Sequence, residues 1–171
     1  MKKIYLWTVV LALALLSSAL AQTATPSTRS TRDRTTTQPK PAPQTMPVKE
    51  KNRVIIQVTQ NDPALMNTAL NNAQNLTAHY EGKGERVIIE FVAYGPGLHM
   101  LRRDTSPVKD RVSTFALQHP NAVFSACGNT LNNQSKQEGK EVTLVSEARL
   151  VQTGIARIVE LQQDGWAYVR P

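Results

Sequence analysis

The segment Val87-Ile88-Ile89-Glu90-Phe91-Val92-Ala93-Tyr94 limits the possible folds more than any other stretch of this chain. Side chains alternate between the two faces of a strand, and here both faces are mostly apolar. A strand of this kind has to be covered by helices on both sides, as in a parallel α/β sheet. The flanking segments fit that requirement. Arg53-Val54-Ile55-Ile56-Gln57-Val58 reads as a strand. Asn61-Asp62-Pro63 then offers a cap with proline in the first turn, and Met66, Ala69, Leu70, Ala73, Leu76 and Tyr80 follow at helical spacing. Gly82 and Gly84 end that helix.

Gly95-Pro96-Gly97 breaks the central strand, and a short helix is expected over Leu98 to Leu101. Ser106-Pro107 opens another helix, with Val108, Val112, Phe115 and Ala116 on one face. Ala122 to Ala126 reads as a third strand running straight into Cys127-Gly128-Asn129-Thr130, with a polar helix following to about Gln137. Val142-Thr143-Leu144-Val145 is expected as the fourth strand. Val151, Ile155, Ile158 and Val159 mark a last amphipathic helix, closed by Gly165, and Trp166 to Val169 makes a short final strand. Strands separated by helices of this length imply right-handed crossovers and a mostly parallel sheet. Aromatics make up only 5% of the chain, which suits one modest core rather than two.

The first 52 residues are different material. Lys2 and Lys3 precede an apolar run from Ile4 to Leu16, and Ser17-Ser18-Ala19-Leu20-Ala21 ends in the small-x-small pattern that signal peptidase reads. The run is shorter than the roughly 20 residues a membrane span needs, so a cleaved signal peptide over 1–21 is expected in preference to an uncleaved anchor. That predicts a periplasmic or secreted protein with no stable membrane insertion after cleavage. No cysteine follows the run, which excludes a lipoprotein anchor. Residues 22–52 are rich in Thr, Pro, Ser, Gln and Arg and poor in large apolar side chains, so they read as a disordered linker. Arg29, Arg32 and Arg34 suit either a solvated tether or a contact with an anionic membrane or wall polymer.

The formal charge of +7 is concentrated there. Residues 1–52 hold eight basic and two acidic side chains, whereas 53–171 hold twelve and eleven. The domain at 53–171 is therefore nearly neutral and shows no basic stripe with interleaved aromatics, so no nucleic-acid partner is expected.

Ligands of parallel sheets bind at the carboxyl ends of the strands. That rule selects Asn61, then Tyr94, Gly95 and Gly97, then Cys127, Gly128, Asn129 and Thr130. Cys127 is the one cysteine of the chain, so an intrachain disulfide is impossible. Between a strand end and a helix start, N–H groups and the helix dipole favour a thiolate; the competing reading is a small buried residue at a tight turn. The Tyr94–Gly97 loop can bring backbone close to an anion, or simply turn. Asn129 and Thr130 can touch a ligand or cap the following helix. His79, His99 and His119 are scattered without metal-ligand spacing, and no phosphate-loop or dinucleotide motif occurs, so neither metal nor cofactor is expected. Trp166 and Tyr168 share a face of the last strand, where packing is favoured over a stacking platform.

In this order and spacing, Asn61-Asp62-Pro63, Ala69-Leu70-Asn71-Asn72-Ala73, Val92-Ala93-Tyr94-Gly95-Pro96-Gly97, Ala126-Cys127-Gly128-Asn129-Thr130 and Gly165-Trp166-Ala167-Tyr168-Val169-Arg170-Pro171 resemble the DsrE/DsrF-like family over residues 53–171. The resemblance implies a three-layer α/β/α sandwich with a five-stranded parallel sheet, and a homo-oligomer, trimer or hexamer. It also implies a positional match between Cys127 and the persulfide-bearing cysteine of the sulfur-relay members. Two functions follow as expectations. One is an exported, non-catalytic binding module whose strand-end crevice holds a small ligand or partner. The other is a periplasmic sulfur carrier or transferase that works through Cys127 with a sulfur donor or acceptor protein. The binding module comes first on sequence, because no general acid, base or oxyanion group is identifiable beside the thiol. Export is checked by N-terminal sequencing of the mature protein, which is expected to begin at Gln22; a membrane-bound product beginning at Met1 would contradict it.

Overall fold

The structure is a computed structural model and describes residues 52–171. The cleavage site and almost all of the linker lie outside the described residues. The first strand, β1, spans Asn52–Val58, and the helix α1 spans Pro63–Glu81. Asp62 caps α1, its Oδ1 accepting from the Ala64 N–H at 2.8 Å, and Pro63 occupies the first turn where no N–H is needed. The buried stripe Met66, Ala69, Leu70, Ala73 and Thr77 keeps one face of α1 on the sheet.

The central strand β2 spans Val87–Ala93 and is followed directly by a 3-10 helix, Gly95–Leu101. Gly-Pro-Gly was expected as a break before a short helix; instead it forms the first turn of that helix. The reason is a close approach. A Cβ on Gly97 would lie 2.2 Å from the Val58 carbonyl oxygen, so the chain crosses the end of β1 where only a glycine fits. Leu98, Met100 and Leu101 are thereby fully buried. Next come α2 (Lys109–Gln118), β3 (Ala122–Cys127) and α3 (Gly128–Glu138).

The fourth strand is not the expected one. β4 spans Ala148–Val151, so Val151 belongs to a strand rather than to the last helix. Val142 and Val145 are buried, but their segment turns against the exit of the 3-10 helix. Val145 N–H donates to Leu101 O at 2.9 Å, Arg103 N–H donates to Thr143 O at 2.9 Å, and Arg102 and Leu144 form an antiparallel bridge. Both segments compete for one sheet edge, and Ala-Arg-Leu-Val wins it with Arg149 and Leu150 exposed, as suits an edge strand. Arg102 anchors this corner. Its guanidinium is almost fully buried, donates to Asp104 at 2.8 and 3.0 Å and to Gln134 at 3.1 Å, and forms an ion pair with Glu138. These hydrogen bonds hold the Asp104 carboxyl well below the usual carboxylate range.

The chain then crosses back through α4 (Gly154–Gln163) to β5 (Ala167–Val169). Trp166 stands just before β5, packed beneath α4 against the cluster of Ile55, Val92, Ile158 and Leu161. The sheet order is β4-β3-β2-β1-β5, and every strand pair is parallel. The fold is therefore the expected three-layer α/β/α sandwich, with the sheet parallel throughout. Steps from β1 to β4 all run one way across the sheet, so right-handed connections put α1, α2 and α3 on one face; the return to β5 puts α4 on the other. The cores follow that division. The larger holds Phe91 stacked on Phe124 at 4.7 Å, with Phe115 edge-on to Phe91 at 5.7 Å, and Leu131 of α3 packs against it. The smaller lies under α4 alone. Among the described residues no helix is long and apolar enough to cross a membrane.

Gly97→Ala tests the close approach. The added carbon must displace backbone rather than a flexible side chain, so a loss of about 3 kcal/mol is expected, at the upper end for overpacking. Urea denaturation checks it.

Candidate functional site

Cys127 ends β3 and serves as the N-cap residue of α3. Its backbone is still extended there, and its side chain accepts no capping hydrogen bond from the helix. The first turn of α3 is tied instead to the segment that leads into α4, the Asn129 N–H donating to Gln152 O at 3.2 Å. Thr130, Asn129 and Gly154, the first residue of α4, are the polar neighbours of the thiol. The sulfur thus lies beside the starts of two helices. Burial, with only 4% of the residue exposed, works to raise the thiol pKa. These polar neighbours outweigh it, and the thiol lies below its ordinary value.

Tight packing brings α4 within reach. A Cβ on Gly154 would lie 2.9 Å from the Tyr94 ring, and one on Gly128 would lie 3.1 Å from the Val151 carbonyl. The Tyr94 hydroxyl accepts from the Gln57 side chain, whose own oxygen accepts from Tyr168 on β5. Gly95 is tied to α3 at both of its backbone groups: its N–H donates to Thr130 Oγ1 at 3.0 Å, and its carbonyl accepts from Gln134 Nε2 at 3.2 Å. Thr130 is therefore the link between thiol and loop. It also lines a polar groove with Gly95, Pro96, His99, Asn133 and Gln137.

Six of the eight residues selected from the sequence meet here: Cys127, Gly128, Asn129, Thr130, Tyr94 and Gly95. Gly97 is buried and faces β1 rather than the thiol. Asn61 is exposed in the β1–α1 link, apart from the polar neighbours of the sulfur. His99 pairs through Nδ1 with Thr105 Oγ1 at 2.7 Å, and His79 lies edge-on to Tyr80. Among the described residues no group of three or more His, Cys, Asp or Glu side chains is placed to hold a metal ion.

Sequence reasoning missed two features. One is Gly154, which comes up beside the end of β3 from another strand's connection; a glycine opening an amphipathic helix was the available signal. The other is a buried polar cluster on the α4 face of the sheet. Glu90, 1% exposed, accepts from Arg157 Nε and Nη2 at 2.8 and 2.9 Å and from Ser125 Oγ at 2.6 Å, and pairs with Arg149 at 3.0 Å. Burial works to raise its pKa, but these partners together hold the carboxyl below its usual value. A lone acid inside an apolar strand was the signal for it.

Fold and site together define a class: a parallel α/β domain whose single thiol is caught where two helices begin. No family model matches the chain, and no curated protein matches it. Among solved structures it is similar to MTH1491 from Methanobacterium thermoautotrophicum, a protein of unknown function. The two share 35% identity and a TM-score of 0.59, over 70% of this chain and 99% of the archaeal one. The chain belongs to the family of that archaeal protein.

Thr130→Val tests the thiol's surroundings. Hydrogen bonds to charged groups contribute about 1.5–3 kcal/mol, so the thiolate fraction at neutral pH is expected to fall about tenfold. The sign follows from the lowered pKa: removing a donor to the thiolate moves the pH profile of alkylation upward. Iodoacetamide kinetics across pH measure it.

Proposed function

We propose that this is an exported sulfur-handling protein of DsrE-like type in which Cys127 accepts and releases a sulfane sulfur. The observation that supports this best is the place of Cys127 at the end of β3, beside the starts of α3 and α4, where its polar surroundings hold the thiol below its ordinary value. A packing cysteine needs no such setting, whereas a thiolate or a persulfide anion is favoured by it. The reaction is an exchange. The Cys127 thiolate attacks the outer sulfur of a donor persulfide, the donor thiolate leaves, and Cys127 holds the persulfide until an acceptor thiolate takes the outer sulfur in turn. The polar neighbours Asn129, Thr130 and Gly154 favour the negative sulfur at both stages. Donor and acceptor are proteins or small thiols that reach the carboxyl edge of the sheet. The leader expected at 1–21 supports a periplasmic or secreted setting.

A second reading keeps the same crevice as a binding module. It is favoured by the polar groove beside Thr130, where the Asn133, Gln134 and Gln137 amides offer both donors and acceptors to a small polar ligand. Either reading includes a homo-oligomer, trimer or hexamer. The exposed apolar side chains Leu150, Ile155, Val159 and Tyr168, on and beside α4, suit such an interface.

Incubation with a small persulfide donor is expected to add the mass of one sulfur atom to the mature protein, reversed by reductant and absent in Cys127→Ser. Intact-mass spectrometry reads it. A wild-type protein that takes up no sulfur, while its groove binds a polar ligand, would leave the binding module as the function.

A further inference from the structure

The geometry points to Glu90 as the positioning residue for Cys127: its carboxylate clamps Arg157, and so fixes the first turn of α4, Gly154 included, beside the end of β3 where the sulfur lies. This rests on the reading of Cys127 as the working thiol.

The chain of contacts is short. Glu90 lies in the middle of β2, and its two oxygens take Arg157 in a fork, Nε to Oε1 and Nη2 to Oε2. Forked pairs fix direction as well as distance. Arg157 N–H closes the first turn of α4 on Thr153 O at 3.1 Å, and Gly154 lies inside that turn. The same carboxylate accepts from Ser125, two residues before Cys127 on the same face of β3. Arg149 of β4 donates to Ser125 Oγ at 3.2 Å and pairs with Glu90, so the strand that delivers the chain to α4 is held as well. One buried carboxylate therefore ties together β2, β3, β4 and α4, the elements that place the sulfur and the helix start beside it. On the far side of Gly154, the Tyr94 ring leaves no room for the turn to move inward. The helix start is held between the ring and the clamp.

The charged groups that face Glu90 are Arg157 from α4 and Arg149 from β4; Glu160 lies 3.9 Å from Arg157. They make the test decisive, because two accounts predict opposite signs. If Glu90 acted on the thiol only as a nearby negative charge, Glu90→Gln would favour the thiolate and move the alkylation profile to lower pH. If Glu90 positions Gly154, the same substitution loosens α4, the sulfur loses the helix start beside it, and the profile moves to higher pH with several-fold less thiolate at neutral pH. Glu90→Asp keeps the charge but shortens the reach, and the same upward movement is expected; it also serves where Glu90→Gln does not fold. Val112→Ala, in the opposite core, is the control for general loosening and is expected to leave the profile in place.

The measurement is the pH dependence of thiolate absorbance and of alkylation in the mature protein. Upward shifts in both Glu90 variants, with the control unmoved, support the assignment. A profile that coincides with wild type, moves downward, or moves equally in Val112→Ala overturns it. Failure of the underlying reading looks different: wild-type protein then takes up no sulfur from a persulfide donor, whatever the Glu90 variants do to the profile.

Discussion

A carboxylate in the middle of a parallel sheet, shut away from water, makes demands on everything around it. An isolated buried charge of this kind is unfavourable by several kcal/mol, and only good geometry with hydrogen-bonded, oppositely charged partners offsets the loss of water. Glu90 has such partners in Arg157, Arg149 and Ser125. Those partners come from three different elements, so the carboxylate is satisfied only when α4 has crossed the sheet at this angle and β4 has docked in this register. Losing one member of a buried pair typically costs about 3–5 kcal/mol. The same helix is also held by Ile55, Val92, Ile158 and Leu161, a cluster far smaller than the core on the opposite face. Apolar burial alone gives weak direction to a single helix lying on a sheet. The forked pair supplies it.

The parts of the fold that were readable in the sequence are those where local chemistry and tertiary position agree. The Asp62 cap, the Pro63 start and the stripe from Met66 to Ala73 define α1 without any partner. The continuous apolar run of β2 requires helices on both sides, and the sheet supplies them. Reading failed where two segments competed for one place. Val142 to Val145 carries more strand-forming side chains than Ala148 to Val151, yet an edge strand has a single neighbour and needs few apolar residues, while the first segment is claimed by the exit of the 3-10 helix. Composition cannot rank those two outcomes, because the difference lies in the Arg102 corner, built from residues 32 to 36 positions apart. The candidate site divides in the same way. Cys127 to Thr130 are adjacent in sequence and were found together. Gly154 and Arg157 arrive by another crossover, and Glu90 looked like one polar interruption in an apolar strand.

Strand order explains why the thiol sits where it does. β3 and β4 are neighbours, but the chain leaves β3 for the face that holds the large core and leaves β4 for the opposite face. Between two such strands the connections part at the carboxyl edge, which is where open α/β sheets hold their ligands. Three strand ends qualified on sequence, at Asn61, at Tyr94 to Gly97 and at Cys127 to Thr130. The order β4-β3-β2-β1-β5 leaves one such parting among the described strands, at the end of β3. Cys127 is the last residue of β3, and the two helices that diverge from the parting both begin with glycine, packed against a carbonyl at Gly128 and a tyrosine ring at Gly154. Side chains at those positions would hold the helix starts apart. Without them, both helix starts close in on the end of β3, where the chain has placed its one sulfur.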